Sequence, residues 1–244
     1  MGSIQDERGY NQGYAPTTAQ NIRIQRRAQF IADHIPVNPL SPCSVLEIGC
    51  GTGELSYHIS ENPQLEVIAT DLSALFINSA SQKYHRPNLK YLTLDFNRTA
   101  DVHALTGQTQ FNAIVGNGIL HHLYPQLNEH LRVMKNLLAP GGRLIFMEPN
   151  LLNPFCFFLF QVPFLRKIGK LEPDEMAFSL SFITHKLQSL DFQSVHVSYK
   201  DFLLPITPRA LIKPSILIGD ILEKSKPTSW LAQSLLIVAQ NTES

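Results

Sequence analysis

The feature that most constrains this chain is a regular alternation of short apolar runs with longer segments of helical periodicity. Near-continuous apolar runs separated by helices are typical of a mostly parallel sheet covered by helices on both faces. The sequence therefore predicts an α/β fold with a seven-stranded sheet. The predicted strands are 44–49, 65–71, 89–95, 111–117, 143–150, 195–203 and 231–241.

Helical periodicity and proline and glycine signals give the organisation between these strands. The predicted helices are 21–35, 54–62, 72–85, 127–142, 182–192 and one within 205–230. Asp71 and Ser73 are candidate caps of the third helix, and Pro140-Gly141-Gly142 is the predicted stop of the fourth. We expect one overall domain: a flexible leader (1–20), a cofactor-binding core (21–150), substrate lid elements (151–230) and a last strand with its tail (231–244).

Composition excludes several classes of protein. Of 244 residues, 44% are hydrophobic, enough for a sizeable core, and the formal net charge is +0. A neutral chain lacks the basic footprint of a nucleic-acid binder, so no nucleic-acid partner is expected. The three cysteines form no CxxC pair, which indicates neither a disulfide framework nor a zinc site. The polar first 20 residues do not resemble a secretory signal, so the expected compartment is the cytoplasm.

A glycine-rich loop follows the first predicted strand in VLEIGCGTGELS (45–56), and such a turn is where α/β proteins bind nucleotides. A triphosphate-binding loop needs Lys and Ser/Thr after its last glycine, but Gly53 is followed by Glu54 and Leu55. A dinucleotide turn needs its third glycine where Glu54 stands, and an acid there is poorly placed for an anionic pyrophosphate.

The stretch EIGCGTG resembles the first motif of class I S-adenosylmethionine-dependent methyltransferases. The resemblance extends from about Val45 to Asn150, through IATDLS, LTLDFN, FNAIVGNGILHHL and LAPGGRLIFMEPN, in the family's order and at its spacing. It implies a Rossmann-like sheet, S-adenosyl-L-methionine as cofactor, and methyl transfer.

The resemblance also implies cofactor contacts. Asp71 stands where the family's acid holds both ribose hydroxyls, and Asp95-Phe96 where it contacts adenine. Bare backbone at Gly49 and Gly51 would admit the nucleoside and the amino-acid tail. The expected cofactor-binding residues are Tyr14, Glu47, Gly49, Cys50, Gly51, Gly53, Asp71, Leu72, Asp95, Phe96, Asn117 and Gly118.

His121 and His122 directly follow the fourth predicted strand and are the candidate catalytic bases, with His185 and Tyr199 as more remote candidates. Adjacent residues usually point in different directions, so at most one of the two histidines is expected to face the site. A histidine that only packs the loop is the competing interpretation. No carboxylate cluster stands beside them in the sequence, so no metal is expected.

The apolar stretch LLNPFCFFLFQVPFL (151–165) is broken by prolines and polar residues and is shorter than the roughly 20 residues of a membrane span. It is interpreted either as a lid packed on the sheet or as the cover of a lipophilic acceptor pocket. Basic residues follow it, so weak peripheral membrane contact through 151–170 is a further hypothesis.

The sequence thus predicts a methyltransferase acting on O, N or C of a small, rather apolar acceptor of natural-product, quinone or lipid-like type. Two alternatives stay open, because the motifs report cofactor binding rather than chemistry. One is a relative of the same fold that catalyses another reaction, such as a cyclisation. The other is a non-catalytic S-adenosylmethionine-binding protein. The pattern names neither the acceptor nor the oligomeric state.

Overall fold

The computed structural model describes residues 6–7, 17–38 and 40–242. Within them the chain forms seven strands, ten α-helices and two short 3-10 turns. The strands are β1 Cys43–Ile48, β2 Leu65–Asp71, β3 Leu89–Thr93, β4 Phe111–Asn117, β5 Leu138–Pro149, β6 Gln193–Lys200 and β7 Ser234–Gln240. The helices are α1 Thr18–Ala32, α2 Glu54–Ile59, α3 Ala74–Lys83, α4 Thr99–Thr106, α5 Leu127–Leu137, α6 Pro154–Gln161, α7 Pro163–Ile168, α8 Leu180–Gln188, α9 Ile212–Lys224 and α10 Lys226–Ser229. The 3-10 turns are Leu120–Gln126 and Arg209–Leu211.

The strands form one sheet in the order β3-β2-β1-β4-β5-β7-β6. The pairs among β1 to β5 are parallel, and β7 runs antiparallel to both β5 and β6. The predicted Rossmann-like, mostly parallel seven-stranded sheet is therefore confirmed. The order changes direction at β1, whose neighbours are β2 and β4, and ligands of open α/β sheets bind beside such a point at the carboxyl ends of the strands.

Both faces of the sheet are buried, which explains why its strands have near-continuous apolar sequences. Val45 of β1 packs on one face with Ile24 and Ile31 of α1, while its neighbour Leu46 packs on the other face with Leu131 of α5. Successive side chains of a strand point to opposite faces. A strand covered by helices on both sides must therefore be apolar at every position.

Two local predictions were wrong. Helix α4, between β3 and β4, is absent from the predicted elements. Helix α5 ends at Leu137, and Pro140-Gly141-Gly142 lies within β5. There the pairing with β4 shifts register between Phe111 and Ala113, and a side chain at Gly142 would lie 3.0 Å from the carbonyl oxygen of Phe111. These glycines allow a close strand approach rather than stopping a helix.

The insertion after β5, residues 151–178, begins with two helices, α6 and α7. Asn153 caps α6 by accepting a hydrogen bond from the amide of Cys156, and Pro154 occupies the first turn, where its missing N–H has no cost. Phe160 is buried, whereas Phe157, Phe158 and Phe164 are exposed. One face of α6 therefore packs on the protein, while Phe157 and Phe158 of α6 and Phe164 of α7 remain exposed.

Candidate active site

A cavity of about 850 Å³ lies at the carboxyl ends of the central strands. It brings together residues that follow β1, β2, β3 and β4, as expected for a parallel sheet. Of the predicted site residues, those that line it are Glu47, Gly49, Cys50, Gly51, Asp71, Leu72, Asp95, Phe96, Asn117, Gly118, His121 and His122. Gly53 does not line it, and Tyr14 lies outside the described residues.

The glycine loop exposes its backbone to this cavity. Gly49 and Gly51 both have positive φ, +66° and +53°, a region where other residues are strained. A Cβ at Gly51 would meet no atom within 4 Å, so the backbone there borders open space, whereas one at Gly49 would lie 2.6 Å from Ile119. At Gly53 an added Cβ would strike Ala80 and Tyr91, so this glycine serves helix–sheet packing.

Asp71 ties the glycine loop to the end of β2. Its Oδ2 accepts a 2.9 Å hydrogen bond from the amide of Gly51, and its Oδ1 accepts one of 2.9 Å from the amide of Ser73. Of the two candidate caps, Ser73 is the one that caps α3, through the amide of Phe76. Burial raises the pKa of Asp71 against the lowering effect of the two amides. Each carboxylate oxygen retains one lone pair for a ligand.

The end of β3 supplies a second acid and an aromatic ring. Oδ1 of Asp95 accepts hydrogen bonds from the backbone and side-chain amides of Asn97, at 3.0 and 2.9 Å. Oδ1 of Asn97 in turn lies 2.8 Å from Nδ1 of His130, which also lines the cavity. Phe96 is buried. Turn chemistry thus occupies one oxygen of Asp95 and leaves the other for a ligand.

Glu47 is a fully buried acid inside β1. The hydroxyl of Ser56 on α2 donates a hydrogen bond to its Oε2. Burial raises the pKa of Glu47 to about 8, with further upward contributions from the nearby acids Asp71 and Glu54. Glu54 and Asp71 line the cavity with Glu47, so this end of the cavity favours a cation and disfavours a phosphate.

A buried ion-pair network borders the same cavity and was not predicted. Nε of Arg27 and Nε of Arg23, both on α1, lie 2.7 and 3.2 Å from Oδ2 of Asp201, just after β6. Nη1 of Arg27 also donates a 2.9 Å hydrogen bond to Oδ1 of Asn117. Both arginines line the cavity and share the carboxylate of Asp201. The sequence pattern of α1 did not predict this network. An amphipathic pattern places charged residues on the exposed face of a helix, whereas both arginines occupy the inward face of α1.

His121 is held by an acid at the end of β5. Its Nδ1 lies 2.8 Å from Oε2 of Glu148, and Glu148 also accepts hydrogen bonds from the amides of Ile119 and Leu120 at 2.9 and 2.8 Å. Since the carboxylate only accepts, it fixes the proton of a neutral His121 on Nδ1 and leaves the lone pair on Nε2. The acid in FMEPN was visible in the sequence, but its pairing with His121 was not.

His122 faces a different acid, which the insertion supplies. Its Nδ1 lies 2.9 Å from Oε1 of Glu175. Burial lowers the pKa of His122, but Glu175 more than offsets this, so the pKa lies above its ordinary value. The expectation that at most one histidine faces the site was wrong. Both line the cavity, with ring centroids 4.1 Å apart; Nδ1 of His121 is hydrogen-bonded to Glu148, whereas Nδ1 of His122 lies at ion-pair distance from Glu175 but makes no hydrogen bond with the described residues.

Glu175 also lies close to His121, with its Oε2 3.9 Å from Nε2. Three potential ligand atoms, one each from His121, His122 and Glu175, therefore lie within 4.8 Å of one another. The sequence showed no carboxylate near the histidines because Glu175 comes from more than 50 residues away. The absence of a metal stays a prediction.

The other candidate bases lie elsewhere. His185 is exposed on α8, where its Nδ1 lies 2.7 Å from the carbonyl oxygen of Ser181. Tyr199 of β6 packs against the hydrophobic core. Neither lines the cavity. From the N-terminal leader, Asp6 and Glu7 do line it, and Oε1 of Glu7 accepts a 3.2 Å hydrogen bond from the amide of Leu75.

The insertion forms the apolar end of the cavity. Phe155, Leu159 and Phe160 of α6 line it, and the ring of Phe160 meets that of His121 edge-on, with centroids 5.7 Å apart. The apolar surface of α6 therefore adjoins the two histidines.

Among the helices of the described residues, none combines the length and apolarity needed to cross a membrane.

Comparisons with known proteins agree with this geometry. Residues 46–144 match a family described as a methyltransferase domain. Highly reducing polyketide synthase 2 of Gibberella zeae is 32% identical over 45% of this chain and 5% of its own length. Trans-aconitate 2-methyltransferase of Streptomyces avermitilis is 31% identical over 51% of this chain and 46% of that protein.

A solved structure of similar fold is that of the CurJ carbon methyltransferase. It has a TM-score of 0.61 and 22% identity, covering 94% of this chain and 57% of that one. The chain spans less than half the length of the curated relatives above. The glycine loop and the acids at the ends of β2 and β3 all lie within residues 46–144, the part of the chain that matches the methyltransferase-domain family.

Proposed function

We propose that this protein transfers a methyl group from S-adenosylmethionine to a small, rather apolar acceptor, with His121 as general base. The observation that carries the proposal is the pairing of His121 with Glu148, because it leaves Nε2 of His121 without the proton. This histidine lines the same cavity as the glycine loop and Asp71. In this proposal a base therefore lies beside the cofactor site within the same cavity.

The cofactor end fits S-adenosylmethionine by charge and by shape. The cofactor carries a sulfonium and an ammonium and no phosphate, which suits a wall that contains Glu47, Glu54 and Asp71. Asp71 would accept the ribose hydroxyls, and Asp95 the adenine amine. The open space beside Gly51 gives the ligand room against the backbone. When bound, the cofactor supplies an electrophilic methyl group.

The protein's own contribution is to place an acceptor and remove its proton. Nε2 of His121 can take a proton from an acceptor in the cavity, while Glu148 keeps the ring oriented and stabilises the imidazolium that results. His121 is only 7% exposed, so the proton transfer takes place away from bulk water. General bases of this kind contribute about 10²–10⁴-fold to the rate.

The insertion would hold the acceptor. Phe155, Leu159 and Phe160 give the cavity an apolar wall beside His121, and ligand sites are typically apolar with a few placed polar groups. In this proposal residues 21–150 form the cofactor-binding core, 151–230 close the acceptor end, and 231–244 are the last strand with its tail. The similarity to a polyketide synthase and to a trans-aconitate methyltransferase supports a small-molecule acceptor.

Calorimetry tests the cofactor half of the proposal. We expect S-adenosylmethionine and its demethylated product to bind, and NAD not to bind. Transfer of labelled methyl to a panel of small apolar acceptors tests the other half. His121→Asn should bind the cofactor as the wild type does and lose transfer by about 100-fold or more, while His185→Gln is the matched control. Binding of NAD alone, or full activity of His121→Asn, would refute the proposal.

A further inference from the structure

Two histidines and a glutamate beside the cavity form a cluster of metal-ligating side chains whose buried atoms are not all satisfied. His121, His122 and Glu175 each bring one potential ligand atom to within 4.8 Å of the others. Oε2 of Glu175 and Nδ1 of His122 are both buried, and neither has a hydrogen-bond partner in the part of the chain that the structure describes. Because an unpaired buried polar atom is costly, these two atoms favour a ligand that bonds to both.

The carboxylate of Glu175 is the strongest indication of a cation at this cluster. The residue is 3% exposed, and its Oε1 accepts a 2.9 Å hydrogen bond from the amide of Glu172. Nδ1 of His122 lies 2.9 Å from Oε1 without forming a hydrogen bond, and Nε2 of His121 lies 3.9 Å from Oε2. Buried charges in proteins are paired or coordinate metals, so a cation among these three side chains would satisfy the carboxylate.

The spacing of the ligand atoms suits Zn²⁺. Zinc binds histidine nitrogen and carboxylate oxygen at about 2.0–2.2 Å in a tetrahedral arrangement, which places neighbouring ligand atoms about 3.4 Å apart. The two nitrogen–oxygen separations of 2.9 and 3.9 Å lie on either side of that value. Small side-chain adjustments would therefore bring the three atoms to bonding distance. Two histidines and one glutamate are also a ligand set of zinc sites that keep a fourth position open.

The groups behind the ligands also fit a metal site. Nδ1 of His121 is hydrogen-bonded to Glu148 at 2.8 Å, and a carboxylate behind a ligating histidine fixes the ring and raises its basicity. Arg166 donates hydrogen bonds to the carbonyl oxygens of Glu172 and Glu175, which hold the segment that carries the third ligand. Both histidines line the cavity. An ion therefore has a path of entry, and its fourth position would open into the cavity.

We propose that His121, His122 and Glu175 bind one Zn²⁺ ion, and that the bound ion inhibits methyl transfer. The site stands on the geometry above, whereas the inhibition rests on the proposed function. The lone pair on Nε2 of His121 can take a proton from the acceptor or bond to zinc, but it cannot do both. The metal-free protein is therefore the active form, and methyl transfer itself needs no metal at these residues.

Zinc binding is measured on the metal-free, full-length protein by competition with a chromogenic chelator. We expect one ion per protein in the wild type and in His185→Gln, the exposed-histidine control. Affinity should fall by at least about 100-fold in His122→Gln and in Glu175→Gln, because loss of a group behind the ligands alone costs about 10–100-fold. Cys156→Ser, which removes a thiol that lines the same cavity, should bind zinc as the wild type does.

Thermal unfolding guards against variants that fail to fold. A ligand that binds only the folded state raises the midpoint of unfolding, so Zn²⁺ should raise it in the wild type and in His185→Gln. In Glu175→Gln a cooperative transition should remain, and zinc should leave its midpoint unchanged. Co²⁺ provides a second signal, since it should give the visible absorption of a tetrahedral complex in the wild type and lose it in Glu175→Gln.

The inhibition is tested by transfer of labelled methyl. Added Zn²⁺ should stop transfer by the wild type, and a chelator should restore it. Transfer that zinc leaves unchanged, or that a chelator abolishes, would contradict the inhibition. Wild-type protein that binds no zinc, or Glu175→Gln that binds it equally well, would contradict the site. Loss of zinc in Cys156→Ser alone would assign the ion to the thiol and overturn the inference.

Failure of the inference and failure of the proposed function give different results. If the metal-free protein transfers methyl but binds no zinc, the inference fails and the proposed function stands. If zinc binding depends on His122 and Glu175 as expected but the metal-free protein transfers no methyl to any acceptor, the metal site stands and the proposed function fails.

Discussion

The amide of Gly51 donates a 2.9 Å hydrogen bond to Oδ2 of Asp71, which joins the loop after β1 to the end of β2. The bond fixes a glycine at positive φ with its open side toward the cavity. It also fixes the carboxylate, whose other oxygen is held by Ser73. The loop and the acid are therefore one preorganised unit, so a ligand that needs both finds them already in place.

Replacing Asp71 by Asn should weaken cofactor binding. The new side chain would keep one acceptor oxygen but would present its N–H₂ group toward the amide of Gly51 or toward a ribose hydroxyl. Loss of a charged hydrogen bond costs about 1.5–3 kcal/mol, or roughly 10- to 100-fold in the dissociation constant. Calorimetry with S-adenosylmethionine measures it. Asp101→Asn, at an exposed acid of α4, is the control. If the two variants bind S-adenosylmethionine equally well, the ribose lies elsewhere.

Replacing Gly51 by Ala should separate backbone strain from loss of ligand space. No protein atom lies within 4 Å of the added Cβ, and the same is true of Gly107, the positive-φ glycine after α4. Each alanine should cost about 1–2 kcal/mol of stability. Only the change at Gly51 should also weaken the cofactor, because its Cβ enters the cavity. Thermal unfolding and calorimetry on both variants test this. An unchanged cofactor affinity in Gly51→Ala would show that the cofactor does not lie against the backbone of Gly51.

Glu47 should make cofactor binding depend on pH. Burial raises its pKa to about 8, so the folded protein holds a proton there that a cationic ligand would displace. Affinity should rise as pH increases toward about 8 and then level off, with proton release visible in buffers of different ionisation enthalpy. Glu47→Gln should flatten the dependence. A pH-independent affinity in the wild type would show that the cofactor's cation lies elsewhere.

The Glu47 carboxyl should also make the free energy of unfolding depend on pH. This free energy should fall as pH rises, whereas cofactor affinity should rise. A carboxyl whose pKa is higher in the folded state than in the unfolded state binds more protons when folded. Its contribution to the free energy of unfolding is therefore present below the unfolded value and declines as pH rises toward about 8. Denaturant unfolding of the wild type and Glu47→Gln across this range measures it, and parallel curves would contradict the shift.

Glu148→Gln should lower the turnover number while leaving cofactor affinity within about twofold. The amide of the introduced glutamine would donate to Nδ1 of His121, which moves the ring proton to Nε2 and removes the lone pair needed by a base. The expected loss is about 10²–10⁴-fold. Single-turnover methyl transfer measures it, with Glu129→Gln, an exposed acid of α5, as control. Wild-type turnover in Glu148→Gln would mean that His121 acts only in packing.

Asp201→Asn should destabilise the fold by about 3–5 kcal/mol, because it removes the charge of a fully buried carboxylate that pairs with both Arg23 and Arg27. The midpoint of thermal unfolding falls by about 2–4 °C per kcal/mol in a chain of this size. Asp220→Asn breaks the half-exposed pair with Arg26, also on α1, and should cost under about 1 kcal/mol. If the midpoint of thermal unfolding falls equally in Asp201→Asn and Asp220→Asn, the prediction is wrong.

The pH dependence of this network follows from Asp201. Burial raises the pKa of Asp201, but Arg27 and Arg23 outweigh it and hold the value below its ordinary range. The stabilisation is therefore present above the unfolded pKa and is lost as pH falls through the lower folded value. Acid unfolding of the wild type should be steeper than that of Asp201→Asn, and identical acid limbs would contradict the assignment.

Local pattern was enough to predict the sheet, and β2 and β4 appear at their predicted bounds. Burial on both faces makes a strand apolar throughout, and that is visible in any short window of sequence. The positions of Gly51 and Asp71 at strand ends followed from the same pattern. Helix α4 was missed because only Val102 within it is buried, so it has almost no apolar periodicity to detect.

The sequence by itself determined the class of fold, because strand composition is a local property, and its resemblance to a methyltransferase family indicated the cofactor. Only the tertiary structure decided which acids hold the two histidines. Glu148 contacts His121 across 27 residues, and Glu175 lies 2.9 Å from His122 in a segment where Arg166 donates a hydrogen bond to the carbonyl oxygen of Glu175. Ion pairs of this kind depend on how distant segments pack together, and no periodicity along the chain encodes that packing.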